Sequence, residues 1–181
     1  KNVSLLQYEK IKKKLIGLDG LSKNFAMTGW RIGWGIFPET LINHAEKLAV
    51  NIYSCVNVFT QYAAIEAIEG SQKIVDDRKN IFFNRSKLMT KLLNQIDGFS
   101  CLQPQGAFYC FPNITKTGLT SDILQNRLLD EAGVATISGS SFGKYGDGYL
   151  RLSCANSEKN INLAINKIKY WVSQNKSHFI L

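Results

Sequence analysis

The sequence predicts an α/β protein, and three observations carry that expectation. Helical and strand-like apolar patterns alternate along the chain. Several of the helical stretches carry recognisable caps and glycine stops. The composition, 45% hydrophobic and 20% charged over 181 residues, is that of an ordinary globular protein rather than a disordered one. A chain of this length holds one ordinary domain or two small ones.

Taken in order, RIGWGIF reads as a strand dense in apolar residues, and Pro38 suits the first turn of a helix starting near Glu39. That helix carries Leu41, Ile42, Ala45, Leu48 and Ala49 at helical spacing, until NIYSCVNV interrupts it. A second helix over residues 59–69 stops at Gly70. From Ile74 to Ile96 most apolar positions fit a three-four spacing, which predicts one long amphipathic helix. DGF is a turn, and FSCLQPQGAFYCFPNI reads as two strands joined around Pro104 to Gly106. TSDILQNRLLDEAG is a capped helix closed by Gly133, VATIS a short strand, and GSSFGKYGDG a loop. YLRLSCA is a strand, and a last amphipathic helix starts from a cap at Asn156 or Ser157. The portion after about residue 75 has enough elements to close a core. The portion before it has one good strand and two helices, too little to do so, and reads as a piece of something larger.

A net charge of +8 raises the question of nucleic acid, but the lysines are scattered. The one dense run, Lys12 to Lys14, reads as a solvated face, and no zinc finger, RNP motif or basic heptad accompanies it. The expectation is no nucleic-acid partner. No run approaches the roughly 20 apolar residues of a membrane helix, so no membrane partner is expected either. Cys55, Cys101, Cys110 and Cys154 form no CxxC pair, and only His44 and His178 could join them around a metal. They read as reduced thiols of a cytoplasmic protein, with no metal site.

The stretch GLSKNFAMTGWRIGWGIFP contains only two charged side chains, Lys23 and Arg31. Fully extended, the eight residues separating them would span about 26 Å. Thr28 and Gly29 supply a turn, and Gly33 and Gly35 permit close backbone approach, so a bend could bring both side chains to one small ligand. A lysine among apolar neighbours loses solvation as a cation, and its neutral amine becomes a nucleophile able to form an imine with an aldehyde. An arginine stays charged when desolvated and offers a fork of donors suited to phosphate. An aldehyde that also carries a phosphate describes pyridoxal 5′-phosphate.

Gly20-Leu21-Ser22-Lys23, then Ala26-Met27, Gly29 and Arg31-Ile32-Gly33, resembles the pyridoxal-phosphate attachment site of the class I/II aminotransferases. QGAFYCFPN, EAGVATISGSSFG and GYLRLSCANSEKN are similar to that family's later landmarks, in the family's order. The resemblance implies part of a fold type I transferase: the end of the large mixed-sheet domain over 1–72, a connecting helix over 73–97 and a small α+β domain over 98–176. It implies that Lys23 is the catalytic amine bound to the cofactor and that Arg31 holds the cofactor phosphate. Arg151 would grip the substrate α-carboxylate. Ser22 is a further candidate phosphate donor; Gly20 stands where the family often has serine, a departure that removes one phosphate hydrogen bond of the family's pattern. Phe108 and Tyr109 would stand near the mouth of the site.

The resemblance further implies a ping-pong transamination between an amino acid and a 2-oxo acid, in a homodimer. The family's ring-nitrogen aspartate and glycine-rich phosphate loop lie upstream of its lysine. Only 22 residues precede Lys23 and the chain begins at Lys1, so a C-terminal fragment, inactive by itself, is expected. Two other readings share these residues. One is a carbon–sulfur lyase or aminocyclopropane-carboxylate synthase of the same fold, and the other is a non-catalytic binding module. NIYSCVNV carries no arginine of the kind that selects dicarboxylates in one subgroup, so the donor amino acid stays open.

Overall fold

The computed structural model describes residues 3–175. The chain divides into two compact units, with the boundary between Asp76 and Asp77. His178 lies outside the described residues.

The first unit opens with a short turn and the single-turn helix α1 (Glu9–Lys12), where Lys12 pairs with Glu9. Strand β1 (Gly17–Gly20) follows, then the single-turn helix α2 (Leu21–Asn24), a 3-10 turn at Thr28–Trp30, and strand β2 (Gly33–Ile36). The two strands pair antiparallel, from Gly17 opposite Ile36 to Gly20 opposite Gly33. The expected strand is therefore one arm of a hairpin whose other arm, GLDG, has too little apolar character to be read from sequence. Helix α3 (Glu39–Tyr53) starts directly after Pro38, and α4 (Val58–Glu69) is capped by the Asn57 side chain, whose Oδ1 accepts from the Thr60 amide at 2.9 Å. Between these helices Ser54 takes a positive φ of 61°, which breaks the run where NIYSCVNV predicted an interruption. Among the described residues of this unit the buried apolar side chains are few: Leu21, Met27 and Ala64.

Helix α5 (Lys73–Leu93) runs across the boundary, and its second half buries Ser86, Met89, Thr90 and Leu93 in the second unit. There follow β3 (Tyr109–Cys110), α6 (Ser121–Ala132), β4 (Ile137–Ser138), β5 (Leu150–Ser153) and α7 (Glu158–Gln174). The sheet has the order β3-β5-β4, with both pairings antiparallel. Along β5, Leu150 and Leu152 point into the core, while Arg151 and Ser153 face the other way, as a two-residue period requires. Thr120 caps α6, and Gly133 closes it with a φ of 63°. Of the two candidate caps for α7, Ser157 accepts from the Asn160 amide, and Asn156 Oδ1 in turn accepts from the Ser157 amide and the Asn160 side chain. The core joins α5, α6, α7 and the inner sheet face through Leu93, Leu124, Leu128, Leu150, Ile161, Ile165 and Ile168, among others.

One expectation fails in this unit. FSCLQPQGAFYCFPNI does not form a two-strand hairpin: only Tyr109 and Cys110 are strand, and residue 100 makes a lone bridge to Asn113. The cause is local. The Asn94 side chain takes the place of a neighbouring strand, its Oδ1 accepting from the Cys101 amide at 2.8 Å and its Nδ2 donating to the Cys101 carbonyl at 2.9 Å. With both backbone groups of Cys101 satisfied in this way, the segment has no need of a ladder partner.

Candidate active site

Lys23 and Arg31 both lie in the twelve-residue loop, 21–32, that joins β1 to β2. The hairpin supplies the bend expected between them. Its end is tight: a Cβ on Gly33 would sit 2.7 Å from the Asp19 carbonyl oxygen, and one on Gly20 3.1 Å from that of Ile32. The glycines are therefore required by backbone approach. Leu21 and Met27 anchor the loop in the small apolar cluster, and α2 lies against the Thr28–Trp30 turn. Ala26 and Arg31 adopt positive φ values of 53° and 54°. Left-handed backbone at two non-glycine residues of one loop stores strain of the kind that gathers at functional sites.

The expectation that Lys23 is starved of water is not met within this chain. Leu21 turns inward and is 1% exposed, whereas Lys23, two positions on along a single helical turn, is exposed. Among the described residues its amine has no hydrogen-bond or ion-pair partner. Ser22 is half-buried. Arg31 is also exposed, and its Nη1 donates to the Thr28 carbonyl at 2.8 Å, which fastens the guanidinium over its own turn.

Arg31 lines a cavity of about 790 Å³ together with Trp30, Gly33, Tyr53, Asn57 and Thr60. Lys23 is not among the residues lining it. Thr60 is fully buried, and its Oγ1 has no hydrogen-bond partner. A buried hydroxyl left unpaired is uncommon and calls for a ligand or water. An arginine fork with unused donors on the cavity wall fits an anionic, phosphate-like group. Sequence reasoning found Arg31 but missed this wall, because the loop at residues 53–57 reads only as a helix interruption.

In the second unit, considered by itself, Arg151 is half-buried on the outer face of β5. Its guanidinium carbon lies 4.4 Å from the Tyr109 ring centroid and 4.6 Å from that of Phe142. Among the described residues no carboxylate or hydrogen-bond acceptor engages it. The sequence pointed to Arg151 and Tyr109 but gave no sign of Phe142, which lies in a loop with no periodic signal. Phe108 packs between Phe82 and Tyr109, at 5.7 and 4.5 Å between centroids.

The thiols are free: Cys55 is exposed, while Cys101, Cys110 and Cys154 are buried. The Cys110 and Cys154 sulfurs stand 3.7 Å apart, and Cys154 touches the Met89 sulfur at 3.8 Å. For Cys110, a hydrogen bond with Cys101 pulls the thiol pKa down, but the Cys154 contact and burial outweigh it and push it up to about 11. Among the described residues no group of histidine, cysteine or carboxylate side chains could hold a metal.

Comparison with known proteins places the chain in a family. Residues 4–168 match the family described as aminotransferase class I and II, and the chain belongs to that family. It is 40% identical over 153 residues to an aspartate aminotransferase of Pyrococcus horikoshii, covering 83% of this chain and 39% of that protein. To aromatic-amino-acid aminotransferase 2 of Thermococcus litoralis it is 34% identical, over 97% of this chain and 46% of the relative. Among solved structures, the aromatic aminotransferase of Pyrococcus horikoshii superposes with a TM-score of 0.94 at 35% identity, covering 97% of this chain and 47% of that one. The chain thus spans less than half the length of these relatives. The mixed α/β architecture is that of fold type I aminotransferases over the matched part.

Proposed function

We propose that the protein containing this chain is a pyridoxal-phosphate-dependent aminotransferase that moves an amino group between an amino acid and a 2-oxo acid, in a cytoplasmic homodimer. The observation that carries the reading is the hairpin loop: a lysine without a partner among the described residues and a cavity-lining arginine, held in one strained, glycine-closed turn, in a chain of this family. When bound, pyridoxal phosphate supplies an aldehyde and an electron-withdrawing ring. Arg31 holds the phosphate, with Ser22 as an additional donor. Lys23 would hold the cofactor through its amine, and that amine, when free, would accept a proton from the substrate α-carbon. Arg151 takes the α-carboxylate on its free edge and orients the breaking C–H bond.

Exposed apolar side chains support a larger assembly. In α4, Val58, Phe59, Tyr62, Ile65 and Ile68 are all exposed, an apolar helix surface that is normally covered. The 1–72, 73–97 and 98–176 division belongs to the same reading, as large-domain end, connecting helix and small domain.

The test is reduction with borohydride after addition of pyridoxal phosphate to the complete protein, followed by mapping of the labelled peptide. A label on Lys23 that is lost in Lys23→Ala is expected. Label spread over surface lysines overturns the reading. Formation of a 2-oxo acid without release of ammonia separates transamination from a lyase reaction.

A further inference from the structure

The second unit holds an arrangement that the roles above do not use. Arg151 packs its guanidinium over two aromatic rings, Tyr109 from the neighbouring strand β3 and Phe142 from the turn after β4. Strand register puts Tyr109 opposite Ser153, diagonal to Arg151 on the outer face of the sheet. Each ring is itself braced: Tyr109 against Phe108 at 4.5 Å, and Phe142 against Phe111 at 6.2 Å in an edge-on contact. Phe111 in turn stacks on Tyr149 at 5.1 Å with an 8° tilt.

A guanidinium has two kinds of surface. Its faces accept stacking and cation–π contact, while all five N–H donors point outward in the plane. Two aromatic rings packed against one guanidinium restrict how it can turn while committing none of its N–H donors. An arginine held by a carboxylate would be positioned at the cost of the donors needed for substrate. Rings position it and consume none of them.

We infer that Tyr109 and Phe142 are positioning residues for substrate, forming an aromatic clamp that presents the unpaired edge of Arg151 to an α-carboxylate. The inference rests on the assignment of Arg151 as the carboxylate-binding group, and deepens it. The clamp acts on carboxylate recognition alone, because neither ring takes part in the proton transfer assigned to Lys23. A partly desolvated cation–π contact is worth enough to shift an equilibrium roughly fivefold.

The experiment uses the complete holoenzyme and the single-turnover rates of L-aspartate and L-phenylalanine. Each is compared with the amine that lacks its α-carboxylate, β-alanine and 2-phenylethylamine respectively. Tyr109→Leu and Phe142→Leu are each expected to lower the preference for amino acid over amine about fivefold, the loss falling on the amino acid and chiefly on KM. Tyr109→Phe and Phe142→Tyr, which keep a ring, are expected to retain the preference. Equal losses for amino acid and amine would show a merely structural role and overturn the inference, as would an unchanged preference in the leucine variants. Arg151→Ala separates the two levels. If it abolishes the preference while the leucine variants keep it, the clamp is wrong and the arginine assignment stands. If it leaves the preference intact, or the parent enzyme has none, both fail.

Discussion

At the scale of single residues, solvation decides what the ionisable groups can do. Lys23 and Arg31 stand exposed at the surface of the chain, whereas Cys110 is fully enclosed. A hydrogen bond with Cys101 lowers the Cys110 thiol, but the Cys154 contact and then burial outweigh it and raise Cys110 from 9.0 to about 11. The sign of the stability effect follows from proton counting. Between those two values the unfolded chain has lost the proton while the folded chain keeps it, so stability falls as pH rises. The contribution is complete below the unfolded value of 9.0 and lost as pH passes through about 11. Urea unfolding midpoints are expected to fall more steeply above pH 9 for the parent than for Cys110→Ala. Equal slopes would show that Cys110 ionises alike in both states.

At the scale of elements, side chains stand in for missing backbone partners. Asn94, just beyond α5, holds Cys101 as an adjacent strand would. Asn94→Ala leaves a buried amide and carbonyl unpaired and is expected to cost about 1–3 kcal/mol, measured by chemical denaturation. A loss within error would mean that water replaces the amide. The helices α6 and α7 are joined in a comparable way. Glu131 accepts from Arg127 Nε at 2.8 Å and from Trp171 Nε1 at 2.6 Å, while the Arg127 guanidinium lies 4.8 Å from the Trp171 ring centroid. These contacts explain why the capped helices were legible while the irregular course of residues 99–114 was not. Caps and periodicity are local, but the Asn94 bracket depends on where a helix end happens to meet the chain.

At the scale of the whole molecule, the two units differ in how much they bury. The second has a continuous core with seven or more large side chains essentially inaccessible, whereas the first buries Leu21, Met27 and Ala64. Local stability follows the burial of apolar surface. In hydrogen exchange on the isolated chain, amides of β1 and β2 are therefore expected to exchange faster than those of α6 and α7. Matched protection in the two units would contradict this. The deficit in the first unit is the one the sequence foretold from its single strong strand and two helices.

The sequence by itself determined the family, the attachment-site lysine and its arginine as candidates, the helix caps, and the shortage of core in the first third. All of these are written in local spacing or in residue type. Only the tertiary structure decided that GLDG pairs with GWGI, that Lys23 stays open to water in this chain, that Thr60 and Arg31 line one cavity, and that Phe142 closes over Arg151. Those contacts join residues distant in sequence, and their energy depends on what else is packed around them, which no local pattern encodes.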